Sequence, residues 1–306
     1  MKKTKEEKAV RKAKQASAAI SRYYESDMAK ERCLAHASGQ GIFHAEEEGP
    51  HYTLTEVRIT TKGAAERIGR PEGRYATLTF SAANLLGGEA LTALEERLMT
   101  LLLDTVPRSA TRILIVGLGN RRLTVDSIGP KTAEAVTATA ALRGTPSEGL
   151  LNGIRQLSVF CPDVFGETGM EAAGLVKSAV SLTRAEAVIA IDAMASSHPK
   201  HLLRAIELAD TGTVPGAGVG NRRAPLSRDT VGVPVTAIGI PTMMRARPYI
   251  RRALTDFGVE AGRAETYAQK EEGLLVVPHG LDEGTVTLSH LVSRSINAAF
   301  GFGAEA

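Results

Sequence analysis

Residues 113–130 read ILIVGLGNRRLTVDSIGP and residues 188–197 read VIAIDAMASS. Each opens on a short, unbroken apolar run, RILIV at 112–116 and AVIAI at 187–191. Runs of this length suit strands buried on both faces of a parallel sheet. Each run then passes into a stretch that carries an aspartate, Asp126 in the first and Asp192 in the second. Ligands of open parallel sheets gather outside the C-terminal ends of the strands. The two aspartates are therefore the first candidates for chemistry.

Working outward, residues 233–240 form a third apolar strand and residues 131–142, 170–182 and 286–300 read as helices. Leu91, Leu94, Leu98, Leu101 and Leu102 recur at helical spacing over residues 89–103. Upstream, residues 51–60 and 74–80 alternate as strands, and a turn containing Gly69, Pro71 and Gly73 predicts a β-hairpin. The expected fold is α/β, with a central, mostly parallel sheet flanked by helices and an N-terminal β-hairpin extension.

A chain of 306 residues with 43% hydrophobic residues buries a sizeable core. Aromatic residues make up 4% and tryptophan is absent, so that core is aliphatic. No apolar run reaches the roughly 18–20 residues of a membrane span, and the basic N-terminus lacks the apolar stretch of a secretory signal. The expectation is a protein without membrane association. Two cysteines, Cys33 and Cys161, are too few for a disulfide framework and point to a reducing, cytoplasmic compartment. Residues 1–27 carry eight Lys/Arg and four Asp/Glu, a net of +4 against +3 for the whole chain. The remainder is thus near neutral. A charged tail with no zinc-finger spacing or aromatic platform gives no direct nucleic-acid module. Residues 1–24, rich in Lys, Ala and Glu, have helical composition.

Two carboxylates in one cleft perform acid/base hydrolysis when like-charge repulsion makes them share a proton. Farther apart, they hold a divalent metal that activates water. An aspartate at a strand end also serves as a helix N-cap, so either residue alone is ambiguous. Other motifs are weaker. Gly117 and Gly119 begin a dinucleotide-type glycine pattern, but Arg122 stands at its third glycine position. Asp210-Thr211-Gly212 matches a catalytic triplet of a different protease fold. The glycine-rich stretch 210–223, and within it 216–220, is a candidate cleft wall with backbone N–H groups for an oxyanion. His198 is a candidate metal ligand and otherwise a surface histidine. Ser196 and Ser197 lack a nucleophile-elbow context, and Cys161 reads as an inert thiol.

Several long segments together carry a resemblance. IVGLGNRRLTVDSIGP (115–130), CPDVFGETGMEAAGLVKSAV (161–180), AVIAIDAMASS (187–197) and LADTGTVPGAGVGNRRAPLSRDTVGVPVTAIGIPTMM (208–244) appear in order. RITTKGAAERIGRPEGRYATL (58–78) precedes them and LLVVPHGLDEGTVTLSHLVSRSINAAF (274–300) follows. The chain resembles the spore germination proteases over nearly its whole length. The resemblance implies a fold like that of hydrogenase-maturation proteases. It implies an endopeptidase acting on small acid-soluble spore proteins at germination, located in the spore core and assembled as a homotetramer. It places the two essential aspartates at Asp126 and Asp192. The mechanism it implies is an atypical aspartic one without a cofactor, a divalent metal at these two residues being the alternative, and a catalytically silent binder of spore proteins the other.

The resemblance also implies a zymogen that trims its own N-terminus. Family cleavage sites resemble Thr-Glu, an apolar residue, Ala, a variable residue and Glu. Residues 26–31 read Ser-Asp-Met-Ala-Lys-Glu, which predicts cleavage between Asp27 and Met28. The organisation expected is a propeptide at 1–27 and a single peptidase domain at 28–306. Arg121 and Arg122 depart from the family pattern, and residues 244–274 are short for it.

Overall fold

The computed structural model describes residues 26–35, 40–85, 87–145, 147–216 and 223–302. The helix expected over 1–24 lies outside the described residues. In chain order the main elements are α1 (Ala29–Ala35), β1 (Ile42–Glu48), β2 (Thr53–Ile59), α2 (Lys62–Ile68), β3 (Gly73–Thr79) and α3 (Gly88–Thr105). Next come β4 (Arg112–Gly117), α4 (Ile128–Glu134), β5 (Gln156–Phe160), α5 (Ala172–Thr183), β6 (Ala187–Ser196) and β7 (Ala205–Ala209). The chain closes with β8 (Val235–Arg245), α6 (Ala246–Asp256), α7 (Ala261–Ala268), β9 (Leu275–Val276) and α8 (Leu281–Phe300).

The strands form one sheet in the order β1-β2-β3-β7-β8-β6-β4-β5, with β9 added beside β8. The parallel part comprises β8-β6-β4-β5. The other five pairings among the described residues are antiparallel. The sheet is thus mixed, which corrects the expectation of a mostly parallel one. The cause lies in strands with little signal of their own. β7 is a five-residue run after a short turn, and by pairing antiparallel with both β3 and β8 it joins the N-terminal strands to the parallel half. β1 escaped notice because His44, Glu46, Glu47 and Glu48 give it a polar, exposed edge character. The expected hairpin exists as the antiparallel pair β2–β3, but its connection includes α2, capped by the Thr61 side chain and ended by Gly69 at φ +69°.

Alternation along the central strands feeds two cores. Ile113, Ile115, Ile189, Ile191, Ile238 and Ile240 face α3 and α8, meeting Leu94, Leu98, Leu291 and Ile296. Leu114, Val116, Val188 and Ala190 face the other way, toward Val176 and Val180 of α5. Farther along that second face, Ala29 and Cys33 of α1 and Ile68 of α2 pack on Val57, Ile59, Tyr75, Ala209 and Ala237. The segment that opens the described chain is therefore part of the packed structure.

The helix expected at 131–142 stops at Glu134 and resumes as a single tight turn at Thr139–Leu142. Thr139 explains the break. Its hydroxyl donates to Arg155 O at 2.9 Å and accepts from Leu157 N–H at 2.8 Å, tying the chain to β5 instead of continuing the helix.

Candidate active site

From β4 the chain runs to β5 on one side, then returns to β6 on the other. This reversal opens a crevice between β4 and β6 at their C-terminal ends, where parallel sheets bind ligands. The last β4–β6 pair is Gly117 with Ile191, so Asp192 is the first residue of β6 to clear its neighbour. Asp126 reaches the same place by a tight excursion. Gly117 lies against the backbone of Gly129, and a Cβ on Gly117 would come within 2.5 Å of the Gly129 carbonyl. Gly119 takes φ +112°, and a Cβ there would stand 2.1 Å from the Asp126 carbonyl oxygen. These close approaches fold Asp126 back so that its Oδ2 accepts the Asn120 N–H at 2.7 Å. The glycines that mimic a dinucleotide motif thus serve the aspartate. Arg121 and Arg122 point elsewhere and pair with Glu134 and Glu167.

Asp126 and Asp192 both line a cavity of about 370 Å³ with apolar walls from Leu118, Leu123, Val164 and Met243. Asp192 also lines a larger cavity of about 880 Å³, shared with Asp27, Arg70, Glu207 and Arg223. It stands where the two spaces meet. Asp192 is 7% exposed. Burial, then the negative charges of Asp126 and Asp27, hold its carboxyl well above the usual aspartate range, against one backbone N–H from Ala193. Asp126 is also raised, by burial and by the charge of Asp163, while the Asn120 N–H acts in the opposite direction. Burial and neighbouring carboxylates thus disfavour the ionised form of both groups, more strongly for Asp192.

The segment 26–31 lies alongside this site. Asp27 N–H donates to Ala195 O at 2.8 Å, and Ala195 N–H donates to Asp27 Oδ2 at 2.8 Å. Met28 is buried against Met194 and Ala205. Ala29 N–H donates to Glu207 Oε2 at 2.8 Å, and Lys30 Nζ donates to Thr55 Oγ1 at 2.6 Å. Sequence reasoning placed Asp27 and Met28 at a cleavage site but not against β6. Their docking depends on β2, β3 and β7, which come together only in the folded sheet.

The remaining candidates take structural positions. Asp210 Oδ1 accepts the Arg74 N–H at 2.8 Å, which makes it a turn anchor. His198 Nδ1 accepts the Lys200 N–H at 3.2 Å. Among the described residues, no group of three or more His, Cys, Asp or Glu side chains is placed to hold a metal ion. Burial raises the Cys161 thiol. Of the glycine-rich wall, Pro215 and Gly216 line the smaller cavity, and 217–222 lie outside the described residues. No helix among the described residues is long and apolar enough to cross a membrane.

Comparison with known proteins gives this geometry its setting. The family model for germination protease matches residues 20–260. The chain belongs to the germination protease family. A germination protease of Caldanaerobacter subterraneus is 32% identical over 85% of this chain and 88% of its own length. That of Bacillus subtilis is 35% identical over 72% of this chain and 60% of its own, and that of Priestia megaterium 33% identical over 80% and 67%. The matched residues of the germination protease model include Asp126, Asp192 and the 26–31 segment.

Proposed function

We propose that this protein is a spore germination endopeptidase that hydrolyses small acid-soluble spore proteins and is made as a zymogen that cuts itself between Asp27 and Met28. The observation that carries this reading is the placement of Ser26–Glu31 along the end of β6, beside a carboxylate pair that shares one cleft. Asp126, the less strongly raised carboxyl, is the base that takes a proton from water. Asp192, which retains its proton, polarises the scissile carbonyl and passes a proton to the leaving amine. The proton that Asp126 took from water then passes to Asp192, which re-ionises Asp126 and returns the pair to its starting state. No cofactor enters these steps. Residues 1–27 act as the propeptide of the single domain 28–306.

The same reading takes the protein to be a homotetramer of the spore core, with the fold kinship to hydrogenase-maturation proteases noted above; native mass measurement tests the assembly. Function is tested by incubating the full-length chain with a purified small acid-soluble spore protein. New fragments ending in an acidic residue before an apolar one support the endopeptidase, whereas complex formation without fragments supports a silent binder.

A further inference from the structure

A glutamate taken out of water needs donors for both of its oxygens. Glu31 is 6% exposed in its side chain and has them. Its Oε1 lies 2.5 Å from Ser196 Oγ and 2.5 Å from His201 Nδ1. Its Oε2 accepts Ser197 N–H at 2.7 Å and Ser197 Oγ at 2.6 Å. Burial alone would raise this carboxyl, yet hydrogen bonds from His201, Ser196, Ser197 and Ser26 outweigh it and bring it to about 2. The donors are preorganised. Ser196 and His201 are themselves buried, His198 N–H donates to Ser196 Oγ at 3.0 Å, and Arg252 Nη1 donates to Ser197 O at 3.3 Å.

The receptor belongs to the scaffold, not to the segment it holds. It is built from the end of β6 and the turn that follows, four to nine residues beyond Asp192. Between receptor and Asp192 the segment is measured out residue by residue. Asp27 is fixed on Ala195, Met28 and Ala29 are fully buried, and Ala29 N–H is held by Glu207. Glu31 is the fourth residue after the Asp27–Met28 bond.

We propose that Ser196, Ser197 and His201 form a specificity pocket for an acidic side chain four residues after the cleaved bond, and that a protein substrate replaces the chain's own Ser26–Glu31 there. The proposal rests on the peptidase reading above. Occupancy by Glu31 makes the pocket unavailable until this segment leaves, so a substrate in trans competes with it.

The test uses two synthetic peptides carrying Ser26–Glu31 with its natural flanks, one with Glu and one with Gln at the position of Glu31. They compete in one tube with the full-length protein, and mass spectrometry reads the ratio of their kcat/KM values. Four charge-assisted hydrogen bonds predict a preference for Glu of about ten-fold or more. In Ser197→Ala and in His201→Gln that preference falls below about three-fold; separate initial-rate measurements with each peptide place the change in KM. An unchanged preference in both variants, or equal cleavage of the two peptides by the parent, overturns the pocket while leaving the peptidase intact. Cleavage of neither peptide, with no self-processing, overturns the peptidase reading and the pocket with it. Ser197→Ala removes one hydroxyl at a half-buried position, so it serves if His201→Gln does not fold.

Discussion

Asp27 and Ala195 exchange two hydrogen bonds of 2.8 Å, one through the Asp27 backbone N–H and one through its side chain. Ala195 lies three residues beyond Asp192 on the same strand. The residue that precedes the proposed cleavage point is therefore fastened to the strand that carries the proposed acid, and Asp27 is near enough for its charge to help raise Asp192.

This arrangement sets the pH dependence. Asp126 and Asp192 are both raised, Asp192 the more strongly. Activity needs one carboxyl ionised and one protonated, so the rate follows a bell whose two limbs belong to the pair. The acid limb reports protonation of Asp126, and the alkaline limb reports loss of the proton kept by Asp192. A pH–rate profile of self-processing checks this; a rate that climbs steadily into alkaline solution contradicts it.

Stability has the same origin with a definite sign. A carboxyl raised in the folded state binds a proton that the unfolded chain releases, so stability falls as pH rises above 3.8, the ordinary aspartate value, through the raised range. Thermal melting of the parent should decline from mildly acidic to neutral pH. Asp192→Asn, neutral at every pH, should flatten that decline by up to about 1.4 kcal/mol per pH unit. Glu31 acts in the opposite sense. Lowered from 4.5 to about 2, it contributes stability that is present above 4.5 and lost as pH falls toward 2.

Gly119→Ala should damage both fold and activity. The added methyl meets the Asp126 carbonyl, and φ +112° is strained for any side chain. A loss of about 1–3 kcal/mol in denaturant unfolding is expected, with processing slowed at least ten-fold as Asp126 is displaced. Parent-like values in both measurements would show that the turn does not position the aspartate.

Ala29→Leu probes the docked segment. Ala29 is fully buried among Val57, Ile59 and Tyr75, with no room for three more carbons. Overpacking of about 1–3 kcal/mol should expel residues 26–31 from the cleft, read as new protease sensitivity there and slower self-cleavage. Processing at the parent rate would mean that this docking is not the route to cleavage.

Chelation separates the two water-activating schemes. The metal-free scheme predicts that a chelator in excess leaves self-processing unchanged. Loss of processing that added divalent metal restores would establish the metal-assisted version.

The parallel half of the fold was legible because its strands are continuous apolar runs, and the two aspartates stood out by following such runs. The mixed sheet was not, since β7 and the charged edge strand β1 have no pattern apart from their neighbours. Ser26–Glu31 drew attention only through its resemblance to the family's cleavage pattern, and its binding to β6 had no sequence signal. Glu31 meets Ser196, Ser197 and His201 across more than 160 residues of chain, and each of these residues in isolation reads as ordinary surface. The glycines Gly117 and Gly119 gave a misleading nucleotide signal because close backbone approach serves a carboxylate as readily as a phosphate.

The central claim is that Asp126 and Asp192 together cut the chain beside them. The most direct measurement is intact mass over time at mildly acidic pH, comparing the full-length parent with Asp126→Asn and Asp192→Asn. The Asn120 N–H can still reach the amide oxygen of the first variant, and the second mimics a protonated carboxyl, so both should fold. The account predicts loss of residues 1–27 in the parent and a rate at least about 100-fold lower in each variant. Removal of the same residues at the parent's rate by either variant would contradict it.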